Sequence, residues 1–138
     1  MKLKRIVAAV LAIIMLLALA ACGEGGQSGS DSSNEAISES DALAKARNYI
    51  ESDPLGKQRF VNGAMPSGAE SMYNIDASSA SCTGKTDDGG YEIVVKGNFF
   101  ADDEYGNLYG HYTFECPITV SSTGSITLYS TKITVRKA

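Results

Sequence analysis

This sequence predicts an α+β fold: an N-terminal helix packed on a four-stranded antiparallel sheet, of which a cystatin-like arrangement is one form. Three observations carry the expectation. Residues 38–52 repeat their apolar positions at helical spacing. From Ile75 onward the repeat shortens to two. Short runs of Gly, Asp, Asn and Ser then punctuate the period-two segments.

The residues ahead of that domain are of a different kind. Residues 1–5, MKLKR, hold three positive charges, and Ile6 to Ala21 runs sixteen residues without a polar side chain. A basic start, a short apolar run and small residues before a break make a secretory signal over residues 1–21. A membrane span takes about 20 apolar residues, and no positive cluster follows to hold a cytoplasmic end. After Cys22, the stretch GEGGQSGSDSSN is dominated by glycine and serine and buries too little apolar surface to order itself. Residues 22–38 are therefore expected to act as a flexible tether with a reach of about 20 Å. One domain remains, over residues 39–138, enough for a single small core. Without Lys2, Lys4 and Arg5 the formal charge falls from −4 to −7. An acidic domain without a basic patch argues against a nucleic-acid partner.

Within the domain, SESDALAKARNYIES (38–52) reads as the helix. Ser40 is placed to cap it, and Leu43, Ala46, Tyr49 and Ile50 share one stripe. Asp53-Pro54 stops it, because a residue before proline avoids helical geometry. Leu55 to Ala64 has room for a short second helical turn, and Met65 to Gly68 reads as loop. Ile75 to Gly84 is a polar first strand. Gly90 to Ala101 sets Tyr91, Ile93, Val95 and Phe99 against Glu92, Lys96 and Asn98. Leu108 to Val120 sets Leu108, Tyr112, Phe114, Cys116, Ile118 and Val120 against His111, Thr113, Glu115 and Thr119. Ser125 to Arg136 starts with Ile126 and Leu128, then changes phase to Tyr129, Ile133 and Val135, which predicts a bulge or bend near Ser130. TDDGG, DDEYGN and SSTG between these runs are turn chemistry.

The register tests the two domain cysteines. A first hairpin turning near residues 87–88 places Cys82 opposite Ile93. A second turning near 104–105 places Cys116 opposite Ile93 as well. With strands about 4.8 Å apart, the two Cα atoms lie roughly 10 Å from each other. A disulfide needs about 7 Å or less. A plain meander keeps both thiols reduced, whereas a bulge or another strand order allows a Cys82–Cys116 disulfide. Both readings stay open.

Candidate chemistry is sparse. His111 is the only histidine and falls on the solvent phase of its strand. A nucleophilic site needs a base beside an activated hydroxyl or thiol, and no nucleophile-elbow motif is present. Asp102, Asp103, Glu104 and Asn107 give DDEYGN four oxygen-bearing side chains, a composition a calcium ion accepts. Their spacing departs from the EF-hand loop, and a solvated hairpin is favoured. Zinc wants grouped Cys and His, which are absent, and no cofactor is implied. Tyr105, Tyr109 and His111, with Phe100 and Tyr129, are the candidate binding residues. A Tyr-rich surface suits a peptide, glycan or protein partner; alternatively, Phe100 and Tyr109 form only a cross-strand aromatic pair.

Two resemblances add to this reading. Leu19-Ala20-Ala21-Cys22 resembles the lipobox of bacterial lipoproteins. That resemblance implies a diacylglyceryl group on Cys22, cleavage before it, and a lipid anchor on the extracytoplasmic face of the cell membrane. Gly23 stands where an aspartate often marks inner-membrane retention, so retention by that rule is not indicated. Residues 95–118 also resemble small uncharacterised secreted bacterial domains, through Asn98, Tyr105-Gly106 and Thr113-Phe114-Glu115-Cys116. That likeness implies no activity. The expectation is a lipid-anchored, non-enzymatic binding module at the cell envelope. Its alternatives are a small hydrolase using His111 and a calcium-dependent adhesion module using the 102–107 loop.

Overall fold

The structure, a computed structural model, describes residues 35–138 of the chain. The signal segment, Cys22 and most of the tether lie outside the described residues. The described part is an α+β domain with two helices on one face of an antiparallel sheet.

Helix α1 spans Glu39–Glu51. Its cap is Ser38, whose hydroxyl accepts from the Asp41 amide at 3.2 Å. Ser40, the expected cap, instead lies in the first turn. Ala42, Ala46, Tyr49 and Ile50 form its buried stripe. Helix α2 spans Pro54–Ala64, eleven residues where the sequence suggested a single turn. Asp53-Pro54 both ends α1 and starts α2, because proline suits the first helical position. The Asp53 carboxylate accepts from the Gly56 amide at 2.8 Å, which caps the new helix.

Five strands follow: β1 Ser71–Lys85, β2 Tyr91–Asp102, β3 Leu108–Val120, β4 Ile126–Leu128 and β5 Thr134–Lys137. The sheet runs β1-β2-β3, and β4 and β5 both pair with β3. The expected fourth strand is thus two short strands. A single 3₁₀ turn, Ser130–Lys132, stands between them, and it produces the change of phase visible in the sequence.

The three hairpins share one turn. In each, the first residue's N–H donates to the carbonyl of the fifth, and the fourth, a glycine, donates back to the first. These turns are 86–90, 103–107 and 121–125. Gly89, Gly106 and Gly124 all hold positive φ, 89°, 76° and 86°, a region costly for side-chain-bearing residues. The first and third turns are stapled together by Asp88. One carboxylate oxygen accepts from the Gly90 amide and the Thr86 hydroxyl, the other from the Ser122 amide and hydroxyl.

The core lies between the helices and the inner face of β2 and β3. Tyr91, Ile93, Val95, Phe99 and Ala101 alternate inward from β2, and Tyr112, Phe114, Cys116, Ile118 and Val120 from β3. Phe60 of α2 meets Phe114 with ring centroids 4.6 Å apart and Phe99 at 6.3 Å. Phe99 stacks in turn on Tyr112 at 5.4 Å.

Strand β1 is irregular where it passes α1. Ala77 and Ser78 fall between the paired residues Asp76↔Asn98 and Ser79↔Lys96. The Ala77 amide donates to the Glu51 carboxylate at 2.6 Å, and its carbonyl accepts from Arg47 Nε at 2.7 Å. Two side chains one helical turn apart thus satisfy the backbone that the ladder leaves open. The same bend presses β1 onto β2: a Cβ on Gly97 would overlap the Asp76 carbonyl oxygen. Asn74, with φ of 49°, takes up the left-handed geometry at the start of the bend, a role asparagine tolerates.

Replacing Glu51 with alanine leaves the buried Ala77 amide without its partner and is expected to cost about 1–3 kcal/mol. Glu51→Gln, which keeps an acceptor, should cost less. Urea denaturation of the two variants beside the wild type measures this. Asp88 gives a pH test. Its hydrogen bond with the Thr86 hydroxyl, and then those from the Ser122 and Gly90 amides, lower its pKa from 3.8 to about 2. The lowered pKa means the staple stabilises fully above the unfolded value and is lost as pH falls through about 2. Thermal melts from pH 6 to pH 2 should therefore show the wild type's advantage over Asp88→Ala shrinking below about pH 4.

Candidate functional site

With the helices covering one face, the other face of the sheet is open, and the chemistry-bearing side chains meet there. The pairing sets them in rows across the strands. Tyr73, Phe100 and His111 form one row, Asn98, Thr113 and Arg136 the next, and Ser79, Lys96, Glu115 and Thr134 the third.

The first row is a stack. Tyr73 and Phe100 lie 5.8 Å apart at 22°, and Phe100 and His111 lie 4.6 Å apart at 16°. Ring faces cover one another, so the edges and the outer faces of the end members meet solvent. His111 Nε2 lies 3.4 Å from Asn98 Oδ1. Burial, and then the neighbouring Asp102 carboxylate, raise the Tyr73 pKa above its ordinary value. The expected partner of Phe100 was Tyr109, and the register corrects this to His111. Tyr109 is the extra residue of a bulge, between the pairs Ala101↔Gly110 and Asp102↔Leu108. Its hydroxyl donates to the Ser67 carbonyl at 2.8 Å and ties the loop after α2 to the end of β3. Tyr105 stands at the turn, 80% exposed, with Leu108 beside the turn at 62%. The three candidate binding residues are therefore separated: His111 joins the row, Tyr109 braces a loop, and Tyr105 projects. Tyr73, missed by the sequence reading, lay just ahead of the strand as first bounded.

The acidic loop does not gather its oxygens. Asp102 ends β2 near Tyr73, whose pKa it helps to raise. Asp103 Oδ1 accepts from the Tyr105 and Asn107 amides at 2.9 and 2.8 Å, and its other oxygen from the Asn107 side chain at 3.3 Å. These donors, led by the Asn107 amide, lower the Asp103 pKa. Glu104 is exposed on the turn. Among the described residues, no three His, Cys, Asp or Glu side chains converge on a common point.

Beside the stack, the second and third rows line a shallow depression of about 290 Å³. Ser78, Asn98, Thr113 and Arg136 contribute to it, with Lys96 and Glu115. Lys96 and Glu115 are paired across the strands at 3.1 Å. Both are half exposed, so the pair adds little stability. A second depression of about 230 Å³ lies toward β4, where Thr119 meets Tyr129 and Lys132 lies 4.9 Å over the Tyr129 ring.

The cysteines lie on the inner face as free thiols. Cys82 is opposite Ile93, as expected, but Cys116 is opposite Val95 and Ile118 takes the place beside Ile93. The two Cα atoms are then separated by two strand spacings and two residues, about 12 Å, beyond disulfide reach. Cys116 is fully buried, which pushes its thiol pKa up to about 12. Cys82 is half buried, its Sγ 3.2 Å from the Gly84 carbonyl.

The fold and the open face define an α+β domain that presents one polar sheet surface crossed by an aromatic stack. Comparisons with protein-family models, with curated proteins and with solved structures find no match for this chain.

In a form carrying Cys22→Ser, a thiol reagent should modify Cys82 in the native protein and reach Cys116 only after denaturation, because the thiolate is the reactive species. Mass spectrometry of alkylated peptides with and without guanidinium checks this. Equal labelling of both in the native state would contradict the buried placement.

Proposed function

We propose that this protein is a lipoprotein anchored through Cys22 on the extracytoplasmic face of the cell membrane, with the open sheet face as a non-enzymatic binding surface. The observation that carries the reading is the stacked row Tyr73–Phe100–His111 on an otherwise polar face. An aromatic row on a solvent-facing sheet suits a partner that covers it. The partner classes are an envelope protein, a peptide or a glycan.

The setting of His111 favours binding over hydrolysis. Its ring lies against Phe100, and the group near its Nε2 is the uncharged Asn98 amide. A hydrolytic histidine is instead oriented by a carboxylate and faces a nucleophile. The internal bonds of Asp103 weigh against calcium-dependent adhesion in the same way. A cystatin-like fold is part of the proposal. Its support is the helix that precedes the meander and the bent β1 that curls against it.

Within the domain, the end of the sheet that meets the tether is distinct from the end that carries the aromatic row. Ile37, where the tether joins the domain, donates to the Ser122 carbonyl at the end of the sheet that carries the turns 86–90 and 121–125. The aromatic row crosses the opposite half, near the 103–107 turn.

Cells expressing the full chain should carry it in the membrane fraction, labelled by a fatty-acid tracer, and Cys22→Ser should abolish the label. Retention of the domain on isolated envelopes should fall at least about tenfold in Tyr73→Ser/Phe100→Ser, the loss of one to two buried side-chain contacts. Leu55→Ser, at an exposed helix position, should leave retention unchanged. Equal retention of all three forms would refute the surface assignment.

A further inference from the structure

We infer that the depression beside the aromatic stack is a binding site for a small organic carboxylate, with Arg136 as the residue that holds the carboxylate group. The inference rests on the reading of the open face as the binding surface and names the ligand chemistry of one depression in it.

The charge pattern carries the argument. Lys96 and Glu115 neutralise each other at 3.1 Å. Arg136 is the other charged group lining the depression, and among the described residues no carboxylate pairs with it. The depression is thus net positive in a domain whose overall charge is negative. Asp76 stands opposite Asn98 in the ladder but does not line the depression.

One further lining group fits a carboxylate: Asn98 carries an amide N–H₂ able to donate to an acceptor oxygen, whereas the Ser78 and Thr113 hydroxyls donate to the Lys96 and Arg136 carbonyls at 3.3 and 3.4 Å. The planar fork of arginine matches a carboxylate with two parallel hydrogen bonds, a geometry lysine lacks. Aromatic edges carry the positive part of the ring quadrupole, so the exposed edges of Phe100 and His111, one row away, add to the preference for oxygen-rich groups. A volume of about 290 Å³ is at the small end of ligand sites, the size of one acidic sugar or one acylated amino acid.

The depression also has a built cause. The break in β1 at Ala77–Ser78 interrupts the ladder beside Gly97, and the paired residues Gly97 and Phe114 lie between the two rows and line the depression. On the other side, β5 is a separate short strand that brings Arg136 alongside Thr113.

Amide NMR titration of the isotopically labelled full chain in detergent, with D-glucuronate and with N-acetyl-L-alanine as probes, tests the site. Saturable shifts at Gly97, Asn98 and Thr113 are expected with at least one probe, and the responding probe tells a sugar acid from an amino-acid carboxylate. Arg136→Gln should weaken that binding about tenfold or more, the loss of a charge-assisted hydrogen bond. Arg136→Lys should restore only part of it. Lys137→Gln should remain within about twofold, because Lys137 pairs with Tyr112 on the other face. The methyl ester of the responding probe should lose binding as Arg136→Gln does. No shift with either probe, equal binding of the ester, or binding unchanged in Arg136→Gln would overturn the inference. Inorganic phosphate binding as tightly as the carboxylate would overturn it too, since it would show a general anion site. Loss of envelope retention in the Tyr73/Phe100 variant with no carboxylate binding would sink this inference alone. Carboxylate binding with unchanged retention would instead refute the wider surface assignment.

Discussion

The domain depends on how helix α1 holds the backbone of Ala77. A strand that breaks its ladder leaves an amide and a carbonyl unpaired, and a buried unpaired peptide group is costly. Glu51 and Arg47, one helical turn apart, supply an acceptor and a donor to the same residue. The helix therefore does for β1 what a neighbouring strand would do. Because the two contacts fix α1 in both position and rotation, its stripe of Ala42, Ala46 and Ile50 is set against the sheet, where all three are fully buried. The small side chains at 42 and 46 let the helix lie close.

That one contact has consequences on both faces. Inward, it fixes the layer into which α2 inserts Phe60 against the rings of Phe99 and Phe114, with Tyr112 stacked behind Phe99. The bend in β1 leaves Gly97 no room for an inward side chain, and on the outer face Ser78 of the bend lines the depression beside the aromatic row. The shape of the open face thus follows in part from how the core is assembled. Asp88 plays a related part at the sheet end where the tether joins, holding two turns and the residue that receives Ile37.

Much of this was legible from residue patterns. Alternation assigned Tyr91, Ile93, Val95 and Phe99 of β2 and Tyr112 to Val120 of β3 to the correct face, though it also placed the exposed Leu108 there and passed over the buried Ala101; the phase change after Leu128 marked the place where the last strand divides. The registers were read unequally. Both turns span five residues; in the first hairpin the register shift between Cys82 and Gly84 compensates and leaves Cys82 opposite Ile93, while in the second the bulge at Tyr109 adds to the turn and offsets the pairing by two residues. An offset of two keeps each side chain on its face, so the core survived the error while the cross-strand partners did not. Phe100 was therefore matched to Tyr109 instead of His111. Helix α2 was shortened for a different reason: proline stops one helix and starts the next with the same residue.

What the sequence alone determined was periodicity and punctuation: which residues face in, where turns fall, and a helix followed by strands. These are local properties, set by side-chain spacing and by the few residues that tolerate special backbone angles. The tertiary structure decided what depends on distance between remote segments. It chose the Ala77 clamp across 26 and 30 residues, the stack joining positions 73, 100 and 111, and the company Arg136 keeps with Asn98 and Thr113. No local pattern encodes these meetings, because each needs two register shifts or a bulge to bring its members level. The candidate site is made of such meetings, and so it became visible only in the folded chain.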